Sequence, residues 1–212
     1  DGAGNINGIV EEKDATAAQR AIAEVNAGIY AACAPFLFAA LPAVKNSNQQ
    51  AEYYLPDIVG IGLDQRRVIE TLRVEDPGEM MGINSREELA AMERNLRQRI
   101  NQKWLLAGVT LKDPDTTYID GDVTIGRDTV IGPNTQLCGK TIIGAGCRID
   151  GSAFVTDATI GDGVHLRFSV VLTSCKIERG AIIGPFAHLR PGTDLGANVH
   201  IGNFVECKAA KL

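Results

Sequence analysis

Seven aliphatic residues, Ile119, Ile125, Ile131, Leu137, Ile143, Ile149 and Val155, recur at intervals of six along this chain. A repeat of six stays in phase with a strand face of period two and drifts steadily around a helix of 3.6 residues per turn, so helix is excluded. The register slips back by one residue to Ile160, Leu166 and Leu172, and again to Ile177, Ile183, Leu189, Leu195 and Ile201. Two residues before most of these anchors stands a slim side chain: Val123, Thr129, Thr135, Thr141, Cys147, Ala153, Ala158, Val164, Val170, Cys175, Ala181, Ala187, Thr193 and Val199. Both positions therefore belong to one inward-facing strand face. Glycine often follows the anchor, as at Gly126, Gly132 and Gly184, where a chain turning a sharp corner needs permissive backbone angles.

Each hexad reads as one short strand plus one corner. Such a unit cannot bury its apolar face alone, but stacked coils form a continuous aliphatic column, as in hexapeptide β-helices. The repeat predicts this architecture from about residue 108 to 212. Before it, Ser85 followed by Glu88 makes a capping box, and Leu89, Met92, Leu96, Ile100 and Trp104 recur at helical spacing. The pattern predicts a connector helix over 85–107, docked by one apolar stripe, with Lys112-Asp113-Pro114-Asp115 as a breaker after it. Residues 1–84 alternate strand-like stretches (8–12, 21–32, 67–74) with helix-like ones (35–44, 52–63), which predicts an α/β segment.

With 212 residues, 45% of them hydrophobic, the chain is long enough to bury a core. A net charge of -5 and a pI near 5.3 give no electrostatic reason for a nucleic-acid or anionic-membrane partner, and neither is expected. The five cysteines are odd in number and include no C-x-x-C pair, which points away from disulfides and structural zinc and fits a cytoplasmic location. Cys147, Cys175 and Cys207 fall on inward positions and read as inert, buried thiols. No apolar stretch is long enough to span a bilayer. Asp1-Gly2-Ala3-Gly4 carries no initiator Met, basic segment or apolar leader, so the chain is expected to begin mid-protein.

Arg190 and Lys208 are eighteen residues apart with no slip between them, and three hexads make one coil of a triangular prism. Each follows an anchor, so they are expected at equivalent corners of neighbouring coils, roughly 5 Å apart in backbone. Two adjacent cations there suit a phosphate, with Arg as a planar fork and Lys as a point charge. The plainer reading is a solvated basic edge; the Arg190-Pro191-Gly192 corner favours the phosphate. His165, His188 and His200 all precede an anchor. They raise a tri-histidine zinc enzyme as an alternative, which their wide spacing makes the weaker reading.

Gly8-Ile9-Val10-Glu11-Glu12-Lys13-Asp14-Ala15, Asn26-Ala27-Gly28-Ile29-Tyr30 and Glu52-Tyr53-Tyr54-Leu55-Pro56-Asp57 resemble the sugar-nucleotidyltransferase family. Gly82-Ile83-Asn84-Ser85-Arg86, the connector helix, the hexads, Leu189-Arg190-Pro191-Gly192 and Gly202-Asn203-Phe204-Val205-Glu206-Cys207-Lys208 follow. Together they resemble the bifunctional N-acetylglucosamine-1-phosphate uridyltransferase and glucosamine-1-phosphate acetyltransferase family over essentially the whole chain. The resemblance implies the C-terminal part of a Rossmann-like nucleotidyltransferase domain (1–84), a linker helix (85–107) and the start of a left-handed parallel β-helix acetyltransferase domain (108–212).

By the same resemblance the parent protein acetylates glucosamine-1-phosphate from acetyl-CoA, then transfers uridylyl from UTP to N-acetylglucosamine-1-phosphate with Mg²⁺. The UDP-N-acetylglucosamine so formed feeds peptidoglycan and lipopolysaccharide. Glu11 and Asn26 match sugar-binding positions, and Asn84 matches a position that approaches the nucleotide-sugar and gives an amide oxygen to Mg²⁺. Arg190 and Lys208 match the phosphate-binding positions. Taken singly, Glu11, Asn26 and Asn84 read more simply as a strand-edge acid, a turn former and a helix-cap neighbour. No catalytic residue is expected within the chain, because the general-base His lies beyond Leu212 in the resembled pattern and the triphosphate loop is unmatched. The chain alone is therefore expected to be inactive, and the parent to be a homotrimer. The alternatives are a single-function nucleotidyltransferase with a hexapeptide tail and a non-catalytic trimerising scaffold.

Overall fold

A computed structural model describes residues 6–80 and 82–212 of the chain. It divides into two compact units, Asp1–Asn84 and Ser85–Leu212.

The second unit is the coil stack that the hexads predict. Its two- and three-residue strands pair in parallel with the strand one coil on, giving sheets of six, six and five strands among the described residues. The first face runs from Thr110–Leu111 to His200–Ile201, the second from Tyr118–Ile119 to Glu206–Cys207, and the third from Thr124–Ile125 to Asp194–Leu195. Anchors stack on anchors, as Leu137 on Val155 and Leu172 on Leu189. The slim residues that alternate with them are buried too, Val199 alone being half-buried. Threonine serves at several of these inward positions because its hydroxyl finds a carbonyl: Thr129 donates to Gly144 at 2.9 Å, Thr141 to Cys138 at 2.7 Å and Thr193 to Cys207 at 3.1 Å.

The two slips in register fall at one corner, where the chain passes from the second face to the third. Asp157 (φ +50°) and Ser174 (φ +44°) turn that corner in consecutive coils, each shortened there by one residue. Pairs are thus eighteen residues apart for Leu137 and Val155, seventeen for Val155 and Leu172, and eighteen again for Leu189 and Cys207. Deletion at a corner leaves the strand register intact, whereas deletion within a strand would turn every following side chain to the opposite face.

The connector helix spans Arg86–Leu106, and its capping box forms as predicted: Glu88 N–H donates to Ser85 Oγ at 3.1 Å, and Ser85 N–H to Glu88 Oε2 at 2.9 Å. The predicted stripe docks only at its C-terminal end. Ile100 and Trp104 pack on the prism core, and buried Asn101 donates to the carbonyls of Pro114 (2.8 Å) and Thr117 (3.0 Å). Leu89 and Leu96 stay 52% and 56% exposed, because a helix of this length runs well past the coil it docks on.

The first unit forms the expected helical stretches but not the expected strands among its described residues. Helices form at Ala34–Ala40, continued as a 3₁₀ turn over Leu41–Ala43, and at Asp57–Asp64. The second is shorter than 52–63 predicted at its start, where Pro56 disfavours helical angles at Leu55. The stretches 8–12, 21–32 and 67–74 form no strands, and no strand occurs among the described residues before Asn84. Alternating sequence gives a strand only when a ladder partner satisfies its backbone, and these segments find none. A small cluster of Ala40, Val44, Ile58 and Val59 forms the core of this unit.

Candidate functional site

The corner after the strands His188–Leu189 and Glu206–Cys207 places Arg190 and Lys208 as the spacing predicts. Leu189 pairs with Cys207, and Arg190 N–H donates to the Cys207 carbonyl at 2.8 Å, so the two cations leave equivalent positions of adjacent coils. The turn closes through Thr193 N–H to the Arg190 carbonyl at 3.2 Å, with Gly192 at φ +81°, a left-handed conformation that glycine takes without a Cβ clash. Thr193 Oγ1 donates to the same Cys207 carbonyl. Both main chains are thus fixed where the cationic side chains depart.

The corner is not purely cationic. Arg190 Nη1 donates to Glu206 Oε1 at 2.8 Å, and this hydrogen-bonded guanidinium, aided by its charge, holds the Glu206 carboxyl below the usual carboxylate range. Glu206 is not part of the eighteen-residue spacing that relates Arg190 to Lys208. The available signal was its place one residue before the anchor Cys207, on the outward side of the strand, within reach of a long side chain in the preceding coil. Lys208 is exposed and outside that ion pair. The corner thus offers one point charge and one guanidinium already shared with a carboxylate.

The other site residues lie in the first unit. Glu11 lines a cleft of about 320 Å³ with Asp14, Lys45, Asn48, Tyr54 and Asp57. Asn26 forms a turn, its Oδ1 accepting from Gly28 N–H at 3.1 Å and its Nδ2 donating to Tyr30 Oη at 2.6 Å. The residues just after it, Gly28 to Tyr30, line a different cleft, of about 420 Å³, with Leu37 and Ile58. Asn84 is exposed beside the helix cap. Glu11 and the segment following Asn26 thus line two different clefts. Among the described residues no group of three His, Cys, Asp or Glu is placed to hold a metal, and Asn84 supplies one amide oxygen. The residues present do not fit a magnesium site. The prism thiols are apolar fillers, and burial pushes Cys175 up to about 11.

The sequence is 47% identical over 209 residues to the Bifunctional protein GlmU of Shouchella clausii (strain KSM-K16), an overlap covering 99% of this chain and 46% of that protein. It is 49% identical over 208 residues to the Bifunctional protein GlmU of Geotalea uraniireducens (strain Rf4), covering 98% of this chain and 46% of the relative. The chain belongs to the bifunctional GlmU family. It spans about half the length of the curated relatives it matches. The family model described as the GMPPB C-terminal domain matches residues 114–212, the coil stack. Among solved structures, the acetyltransferase domain of PglB from Neisseria gonorrhoeae FA1090 overlaps 57% of this chain and 60% of its own at 21% identity and a TM-score of 0.32. The GlmU match covers both units.

Proposed function

We propose that the whole protein is a bifunctional transferase of UDP-N-acetylglucosamine synthesis, and that this chain supplies the sugar-phosphate anchor of its acetyl-transfer step. The supporting observation is the stacking of Arg190 on Lys208 at one corner, held by the Leu189 to Cys207 register. In that step the amine of glucosamine-1-phosphate attacks the thioester carbonyl of acetyl-CoA, a C–N bond forms, the C–S bond breaks and the amine loses a proton. The corner holds the phosphate and orients the amine; the base belongs to residues after Leu212 in the resembled pattern. For the subsequent uridylyl transfer from UTP, Glu11, Asn26 and Asn84 are proposed contacts to N-acetylglucosamine-1-phosphate and its product.

A cytoplasmic homotrimer is the proposed assembly. No described helix is long and apolar enough to cross a membrane. Phe168, Phe186 and Phe204 form an exposed aromatic ladder along one prism edge, ring centroids 6.2 Å apart and then 4.9 Å. Phe186 and Phe204 hold left-handed angles, φ +58° and +55°, that bulky residues avoid, which supports a covered role for this edge. Calorimetric titration with glucosamine-1-phosphate tests the anchor. Binding by the chain and at least about ten-fold weakening in Arg190→Ala is the expected result; equal binding by both proteins would leave the prism a scaffold. Turnover by the 212-residue chain alone would contradict the placing of the base outside it.

A further inference from the structure

In the last two coils, the outward side of the second face carries His188 directly over Glu206, the two being register partners in adjacent parallel strands. Such strands lie about 4.8 Å apart, so imidazole and carboxylate share one small volume of surface. The other groups facing His188 are few. Its own strand leads to Arg190, the following coil adds Lys208 beyond Glu206, and the preceding strand offers uncharged Val171 and Thr173. After the dominant Arg190, both His188 and Lys208 help to hold the Glu206 carboxyl down. An imidazole is the one side-chain type in this set that can change charge under mild conditions.

Resting on the anion-site reading, we propose that His188 is a positioning residue for that site. When protonated, it balances Glu206 and frees Arg190 to meet an incoming phosphate monoester. When neutral, it leaves Arg190 committed to Glu206 and the corner with one positive charge fewer. Anion affinity therefore rises when the imidazole gains its proton, without any rearrangement of the coils.

Sulfate is the probe, because it stays dianionic across this range and its own protonation adds no slope. Its affinity for the 212-residue chain is measured by titration between about pH 8 and pH 5.5 at constant low ionic strength. The expected gain on acidification is about ten-fold, the effect of one unit charge some 6 Å from a dianion in a water-like dielectric. His188→Gln should bind at the weak level throughout, and His188→Lys at the tight level throughout. A His188→Gln protein that keeps the wild-type slope, or a His188→Lys protein that keeps it, overturns the proposal while leaving the anion corner standing. Failure of the wild type to bind sulfate at any pH, or binding that survives Arg190→Ala, overturns the anion corner and the role of His188 together.

Discussion

The two units of this chain meet the same requirement, burial of aliphatic side chains with backbone satisfied, in opposite ways. In the prism, Leu172 and Leu189 are fully enclosed, and each strand after the first finds its ladder partner seventeen or eighteen residues along. In the first unit, Val68 and Leu72 remain 89% and 92% exposed, in a segment that joins no helix or strand among the described residues. The first fold is specified by neighbours in sequence and the second by segments far from it. A repeat carries its own complement; an isolated α/β segment does not.

The contrast is sharpest in the core. Leu172→Ala opens a cavity in a column whose coils are hydrogen-bonded above and below and cannot collapse, so a loss of about 3 kcal/mol is expected. The chain has a single tryptophan, Trp104, packed on the prism core, and its fluorescence in urea unfolding reports this loss. Ile58→Ala, in the small cluster of the first unit, is expected to cost no more than about half as much, read by hydrogen exchange of the helix Asp57–Asp64. Equal losses would erase the distinction.

The corners offer the next test. A Cβ built on Gly132 would lie 2.2 Å from the carbonyl oxygen of Asp150 in the next coil, a backbone atom with nowhere to go. Gly132→Ala should therefore destabilise the prism by about 2 kcal/mol through overpacking, seen as a lower urea midpoint. Unchanged stability would mean that adjacent coils can spread at this edge.

Legibility in the sequence follows the same division. The anchors, the slim residues, the capping box and the stacking of Arg190 on Lys208 were readable because each depends on spacing within one or two coils. That both slips occupy one corner was not readable from spacing alone; it took the pairing of Val155 with Leu172 and of Leu172 with Leu189 to show it. Glu206 was missed because a cation pair was sought along the corner and the carboxylate lies one residue back, on the strand. The aromatic edge was visible as Phe168, Phe186 and Phe204 at intervals of eighteen, but a search for slim inward residues passes over outward ones. In the first unit, period-two patterns at 21–32 and 67–74 correctly marked apolar alternation, and still gave no strands, since pairing is a property of two segments.

Electrostatics between coils adds a smaller effect confined to the prism. Asp150 accepts from Arg148 Nε at 2.7 Å and lies 2.9 Å from His165 Nε2 of the following coil. Burial pushes its carboxyl up, but these hydrogen bonds and charges outweigh burial and leave it below the usual range. A carboxyl so lowered stabilises the fold above the ordinary carboxylate range, and that contribution disappears as pH falls through the folded value. Wild type should exceed Asp150→Asn by about 0.5 to 1 kcal/mol near neutrality, with the solvent-facing Arg148 limiting the effect. The two thermal-unfolding curves should converge below about pH 4. Parallel curves down to pH 2 would show that the contact contributes packing alone.

The smallest effect has the opposite sign and belongs to the first unit. Gly60 sits inside the helix Asp57–Asp64, is exposed, and a Cβ added there meets nothing within 4 Å. Alanine removes the conformational freedom that glycine gives the unfolded chain and introduces no clash, so Gly60→Ala should stabilise this unit by about 0.5 to 1 kcal/mol. The same chemical change thus destabilises one unit and stabilises the other. At Gly132 the neighbouring coil already occupies the space of a methyl group, and at Gly60 solvent does. Slower hydrogen exchange across 57–64 in Gly60→Ala, with the urea midpoint of the prism unchanged, would establish that the two units respond independently. A shift of both together would mean that their stabilities are coupled through the helix that joins them.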